Sequence, residues 1–174
     1  MTNATATDSF VYVTFIRTTP TRLWQALTDP VFTRQYWQGI EFDTDWRTGS
    51  AMTMRRQPDL EIVDPEQVVL VAEPYRRLSY TWHTFTEDWA RAYEVSDEFF
   101  ARVAAEPRST VTFDIEDFGG SVKLTVVHDG FEPGSAVLEG VSQGWPAILS
   151  SLKTLLETGD ILPEPKAAEE VTSA

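Results

Sequence analysis

The chain has 174 residues, 42% of them hydrophobic, which suits one domain with a full core and leaves little room for a second. Its 14 basic against 27 acidic residues give a formal charge of −13, which argues against nucleic acid or an anionic membrane as partner, since both need clustered Lys and Arg. Without cysteine there can be no disulfide, thiol catalysis or cysteine-ligated zinc, and with no signal-like opening and no long apolar run the protein is expected to be soluble and cytoplasmic.

Residues 1–9 are polar and expected to be disordered. FVYVTFI, Phe10 to Ile16, is β-branched and aromatic and reads as a strand. Two short helices follow, each opened by a cap residue and a proline: Thr19 with Pro20, then Asp29 with Pro30. IEFDTDW and AMTMRR read as strands around the turn Arg47 to Ser50, with Phe42, Thr44 and Trp46 alternating against Glu41, Asp43 and Asp45. EQVVLVAEP and RRLSYTWHTF form the next pair. There the alternation puts Leu78, Tyr80 and Trp82 on one face and Ser79, Thr81 and His83 on the other, so that His83 falls on the wet face or near the segment that follows.

Residues 86–108 break the period of two. Phe99, Phe100 and Val103 recur at helical spacing behind the cap-like Ser96, so this segment is expected to be a helical insertion between strands. STVTFDIED and SVKLTVVHDG then make a hairpin around Gly119 and Gly120, with Val111, Phe113 and Ile115 facing inward opposite Val122, Leu124, Val126 and His128. GWPAILSSLKTLLETG reads as the terminal helix, with Pro146 in its first turn and Gly159 as its cap; Trp145, Ile148, Leu149, Leu152, Leu155 and Leu156 share one face. Residues 160–174 carry no apolar periodicity and are expected to be disordered. The fold class that follows is α+β: an antiparallel sheet of about six or seven strands covered by one long C-terminal helix. A pocket between sheet and helix is a natural by-product of that architecture.

The run TTPTRLWQALTDPVFTRQYW, the turn DWRTGS, the strand RRLSYTWH and the segment VVHDGFEPGS through SQGWPAILSSLKTLLETG resemble the SRPBCC or START-like superfamily. Within it they resemble the group named after the C-terminal domain of the activator of the heat-shock protein 90 ATPase. The resemblance spans residues 10–159. It implies a helix-grip fold, with the curved sheet wrapped around the terminal helix, forming a single domain with the insertion at 86–108. Members commonly hold hydrophobic ligands between sheet and helix, and some are enzymes, cyclases or self-sacrificing resistance proteins. The eukaryotic co-chaperone of the group carries a further N-terminal domain that the short polar N-terminus here is not expected to encode.

Candidate ligand-binding residues are Trp37, Trp46, Met54, Tyr80, Trp82, Phe113, His128, Phe131, Trp145, Leu149 and Leu152. Most are aromatic and come from the inward strand phase and the helix stripe, and Trp and Tyr in a core favour a neighbouring polar partner or wet cavity. Phe131 is also a candidate gate at the cavity mouth. His128 is the one candidate acid or base, and a hydrogen-bonded structural histidine is the alternative for it. Asp43, Asp45, Asp114 and Glu116 alternate with apolar residues and are assigned to the solvent face, which leaves no carboxylate pair for acid–base work. Two histidines give a metal site little material, so no metal and no cofactor are expected. Three functions remain: binding of a hydrophobic, aromatic or polyketide-like small molecule; an interaction or co-chaperone-like module using the acidic surface or the Phe99–Phe100 insertion, including as a homodimer; and an enzyme using His128 or a pocket Tyr.

Overall fold

A computed structural model describes residues 7–163. The elements run β1 (Asp8–Ile16), α1 (Pro20–Thr28), α2 (Pro30–Tyr36), β2 (Ile40–Asp43), β3 (Ala51–Arg56), β4 (Leu60–Glu73), β5 (Arg77–Thr81), α3 (Glu87–Ala92), α4 (Asp97–Ala104), β6 (Thr110–Asp117), β7 (Val122–Phe131) and α5 (Ala136–Thr158). The strands form one antiparallel sheet in the order β1-β7-β6-β5-β4-β3-β2, so the first strand closes one edge and the second the other. The fold class is the α+β, helix-grip arrangement expected. Asp8 and Ser9 belong to β1 rather than to an unstructured start, and the expectations for residues 1–6 and 164–174 fall outside the described residues.

Local chemistry explains the helix starts. Thr19 accepts the Arg22 amide at 3.2 Å and Asp29 accepts the Val31 amide at 2.9 Å, each before a proline that has no amide to satisfy. β4 begins six residues before the strand read from the sequence. Its inward positions there are Leu60, Ile62 and Asp64, and the acidic side chain at the third disguises the alternation. β2 ends at Asp43, short of the expected strand, because Trp46 takes a left-handed backbone (φ 55°) that no strand continues through.

α5 starts at Ala136, eight residues before the expected boundary. Ser135 is its cap, accepting the Leu138 amide at 2.9 Å, while Glu106 takes the Ala136 amide at 2.6 Å and the Ser135 hydroxyl. Pro146 therefore lies inside the helix, not in its first turn. Gly159, at φ 85°, ends it in the left-handed conformation, its amide donating to the Leu155 carbonyl at 2.9 Å.

The second half of α5 packs on a solid core. Leu149, Leu152, Leu155 and Leu156 share one buried cluster with Ile16, Leu23, Leu78 and Leu124. Each fully buried leucine contributes about 1.5–3 kcal/mol. Polar ties lock this end to β1: Lys153 donates to the Phe15 carbonyl at 2.5 Å, and Glu157 accepts the Arg17 amide at 2.8 Å.

Candidate functional site

Beside the first half of α5 the core is hollow. A cavity of about 300 Å³ lies between this half, the sheet and the insertion. The sheet side and α2 contribute Trp37, Ile40, Met54 and Trp82; α5 contributes Val137, Val141, Trp145 and Ile148. Phe85 and the insertion's Trp89, Tyr93, Phe99 and Val103 form the remaining wall. The insertion is two short helices, α3 and α4, capped by Thr86 and Ser96, rather than one. No charged side chain lines this cavity.

Of the residues expected to bind a ligand, Trp37, Met54, Trp82 and Trp145 meet at this cavity. Tyr80, Phe113, Leu149 and Leu152 are instead enclosed in the solid core, where the Tyr80 and Phe113 rings pack tilted at 6.0 Å. Trp46 is held outside the cavity by its own left-handed turn, its indole N–H donating to the Thr28 carbonyl at 2.9 Å. Phe131 is no gate. It is buried against His128, ring centroids 4.8 Å apart, and joins a second small cluster with Val103, Ala136 and Val137.

Two glycines shape the α5 wall. Gly140 and Gly144, one helical turn apart, both line the cavity. A methyl group added at Gly144 would meet nothing within 4 Å, and one at Gly140 would meet only the ring tip of Phe99 at 3.8 Å. Each glycine inside a helix costs about 0.5–1 kcal/mol relative to alanine. The chain thus spends helix stability where side chains would fill the hollow.

The insertion is fastened at both ends. Asp64, buried on β4, accepts the Arg108 guanidinium at 2.8 Å and the Thr84 amide at 3.2 Å, and Arg108 also donates to the Trp82 carbonyl at 2.6 Å. Burial alone would raise the Asp64 pKa, but the bonds from Arg108 and the Glu66 amide hold it below the usual carboxylate range. Glu106, close to the same end, caps α5. Residues entering and leaving the insertion are thereby tied to one buried carboxylate.

Of the two places expected for His83, the wet face or the neighbourhood of the insertion, it takes the second, buried beside Phe85 and Trp89. β5 ends at Thr81, so the alternation that assigned His83 outward no longer applies there. Its ring sits between Trp82 and Phe85, at 5.1 and 4.9 Å, and lines both the main cavity and a smaller one of about 90 Å³ that reaches Glu106, Arg108 and Ser109. Burial pushes its pKa down to about 4 against the opposing pull of the Thr84 carbonyl and Asp64.

His128 is fully buried, and its two neighbours fix its chemistry. The Trp145 indole can only donate, so its 3.1 Å contact with Nδ1 makes that nitrogen an acceptor and places the proton on Nε2. Nε2 in turn donates to Ser109 Oγ at 2.8 Å. This Ser–His pair has the tautomer opposite to the one a serine nucleophile needs, because the nitrogen facing the hydroxyl has no free lone pair. Burial first, and then the neighbouring His83, push the His128 pKa down to about 3. His128 pins Trp145 to the sheet and supplies no acid or base to the cavity. Among the described residues no three of His, Asp and Glu converge, and no helix is long and apolar enough to cross a membrane.

A curved sheet gripped by one long helix, with a hollow at one end of the grip, defines a helix-grip domain. The family described as activator of Hsp90 ATPase homolog 1-like protein matches residues 17–157, and the chain belongs to that family. Protein MLL2253 of Mesorhizobium loti is similar at 25% identity, with 88% of this chain and all of the other covered and a TM-score of 0.68. The Aha1 dimer of Colwellia psychrerythraea shares the fold at 16% identity, covering 87% of this chain and 98% of that one, with a TM-score of 0.63. So does DynU16, a protein of the dynemicin biosynthetic locus, at 19% identity and a TM-score of 0.64, covering 88% of this chain and 49% of that longer one. No curated protein matches the sequence significantly.

Proposed function

We propose that the protein is a non-catalytic carrier of a small, mainly aromatic molecule, held between the first half of α5, the insertion and the sheet. The observation that carries this reading is the glycine pair Gly140 and Gly144. A helix that gives up propensity at two cavity-facing positions, both still accessible to solvent, keeps room that core packing alone would fill. The apolar and aromatic lining and the size of the hollow suit a compact ring system. The locked tautomer of His128 speaks against an acid–base enzyme built on that residue. The fold shared with a protein of a natural-product locus is in keeping with such a ligand.

The test uses the tryptophans in the wall as reporters. Titration with naphthalene should quench or shift tryptophan emission with saturation in the micromolar range. Gly144→Leu should weaken that binding by about tenfold or more while leaving the fold intact or more stable. A wild-type protein that binds no apolar probe, or a Gly144→Leu variant that binds as well, would end this reading.

A second reading concerns self-association. Phe99 and Phe100, first offered as an interface, turn toward the cavity and the second cluster. The apolar surface lies instead on the outer face of β1, an edge strand, where Val11, Val13 and Phe15 are 57%, 49% and 47% exposed and Phe15 meets Phe118 at 5.2 Å. The neighbouring fold from Colwellia psychrerythraea is described as a dimer. Light scattering should then give twice the monomer mass, reduced to the monomer by Val13→Lys.

A further inference from the structure

The main cavity is apolar almost throughout, yet the imidazole of His83 is set into its wall, between it and the smaller cavity. His83 Nδ1 lies 2.7 Å from the Thr84 carbonyl oxygen, which can only accept, so Nδ1 carries the ring proton and Nε2 the lone pair. Nε2 makes no hydrogen bond to any described residue. The ring cannot easily turn to exchange the two nitrogens. It is packed among Trp82, Phe85 and Trp89, and a flip would set a C–H edge against the Thr84 oxygen. Its backbone is held on both sides: Trp82 donates its amide to the Ser109 carbonyl at 2.8 Å and gives its carbonyl to Arg108, and the Thr84 amide donates to Asp64.

Charge selects further. No charged side chain lines the main cavity, so a carboxylate or an ammonium would lose its water there without a counter-ion. The cation of the small cavity, Arg108, is already engaged by Asp64 and the Trp82 carbonyl. Arg56, over the outer side of the Tyr93 ring at 4.7 Å, is likewise already engaged, by Asp59 at 2.6 Å and the Ala92 carbonyl at 2.8 Å. A ligand without a donor would bury the Nε2 lone pair unpaired, which is the costly case for a polar group.

We propose that His83 Nε2 is the recognition point of the cavity, and that the ligand is a neutral aromatic molecule presenting a phenolic O–H or a ring N–H to it. The proposal rests on the small-molecule reading above and adds the ligand class to it. Burial keeps the imidazole neutral, so it remains an acceptor at neutral pH.

Three probes of one shape separate the two ideas: naphthalene, β-naphthol and the methyl ether of β-naphthol. The wild type should bind the naphthol about tenfold more tightly than its ether, the value of one net hydrogen bond. His83→Phe should remove that preference, read as the ratio of naphthol to ether affinity within the variant. His83→Gln, which can still offer an acceptor, should restore part of it. The chain has only two histidines, so the nitrogen-15 imidazole spectrum is readable, and the naphthol but not the ether should move the His83 Nε2 resonance. That spectrum is taken on the wild type and holds even if a variant misfolds. Naphthol and ether binding alike, with the Nε2 resonance still, would overturn the role of His83 and leave the carrier reading standing. Failure of all three probes to bind would overturn both.

Discussion

The two halves of α5 lie on the same sheet and do opposite things. From Leu149 onward the buried positions are four leucines and Ser151, the leucines set in the main core cluster, and polar ties fasten the helix to β1. Before it, the positions that line the hollow are two glycines, two valines, an alanine, an isoleucine and a tryptophan. The solid half supplies stability that the hollow half does without. One helix can therefore hold the domain together and leave a chamber open, provided the two tasks are kept on separate turns.

The largest expected effect is that of acid, because both histidines lie on the hollow side. The native pKa values near 4 and 3 sit below the unfolded value near 6.5. Above pH 6.5 both rings are neutral in either state and stability is full. As pH falls from 6.5 toward 4 the unfolded chain binds protons that the native one refuses, so stability falls by up to about 1.4 kcal/mol per pH unit for each histidine. Urea unfolding across this range checks the slope, which His83→Phe should halve. Hydrogen exchange should show residues 136–145 losing protection before residues 149–158; simultaneous loss would erase the contrast between the halves.

Next in size, Leu152→Ala should cost about 3 kcal/mol in the same unfolding measurement, from lost burial and the cavity left behind. Its affinity for an aromatic probe should stay within about twofold. An affinity loss matching that of Gly144→Leu would show the two halves to be coupled. The smallest effect is the reverse in sign: Gly144→Ala should stabilise by about 0.5–1 kcal/mol, seen as a rise of a few degrees in Tm, since its methyl meets nothing within 4 Å.

Caps and alternation carried the fold into view from the sequence. Thr19 with Pro20 and Asp29 with Pro30 mark α1 and α2, and the inward phase of β6 and β7 puts Phe113, Leu124, Val126 and His128 where they are found. The cavity was only half visible. Trp37, Met54, Trp82 and Trp145 belong to elements that sequence order places around the sheet–helix space. Phe85, Trp89, Tyr93 and Phe99 reach it because the insertion folds back, which is set by the Asp64–Arg108 pair, 44 residues apart, and by no local pattern. The same limit left His83, two residues past the end of its strand, between the wet face and the neighbourhood of the insertion. The signal within reach was the spacing of Gly140 and Gly144, one turn apart beside an apolar stripe, but it counts only once α5 is known to start at Ala136.

Pro146 stands where the hollow half of α5 passes into the solid one. Having no amide hydrogen, it leaves the Ser142 carbonyl without its partner four residues on, and its ring crowds that same turn. The helix is weakest at this joint. Residues 136–145 therefore keep their seat through side-chain ties from outside the helix, Glu106 at the Ala136 amide and His128 at the Trp145 indole, where residues 149–158 keep theirs by packing.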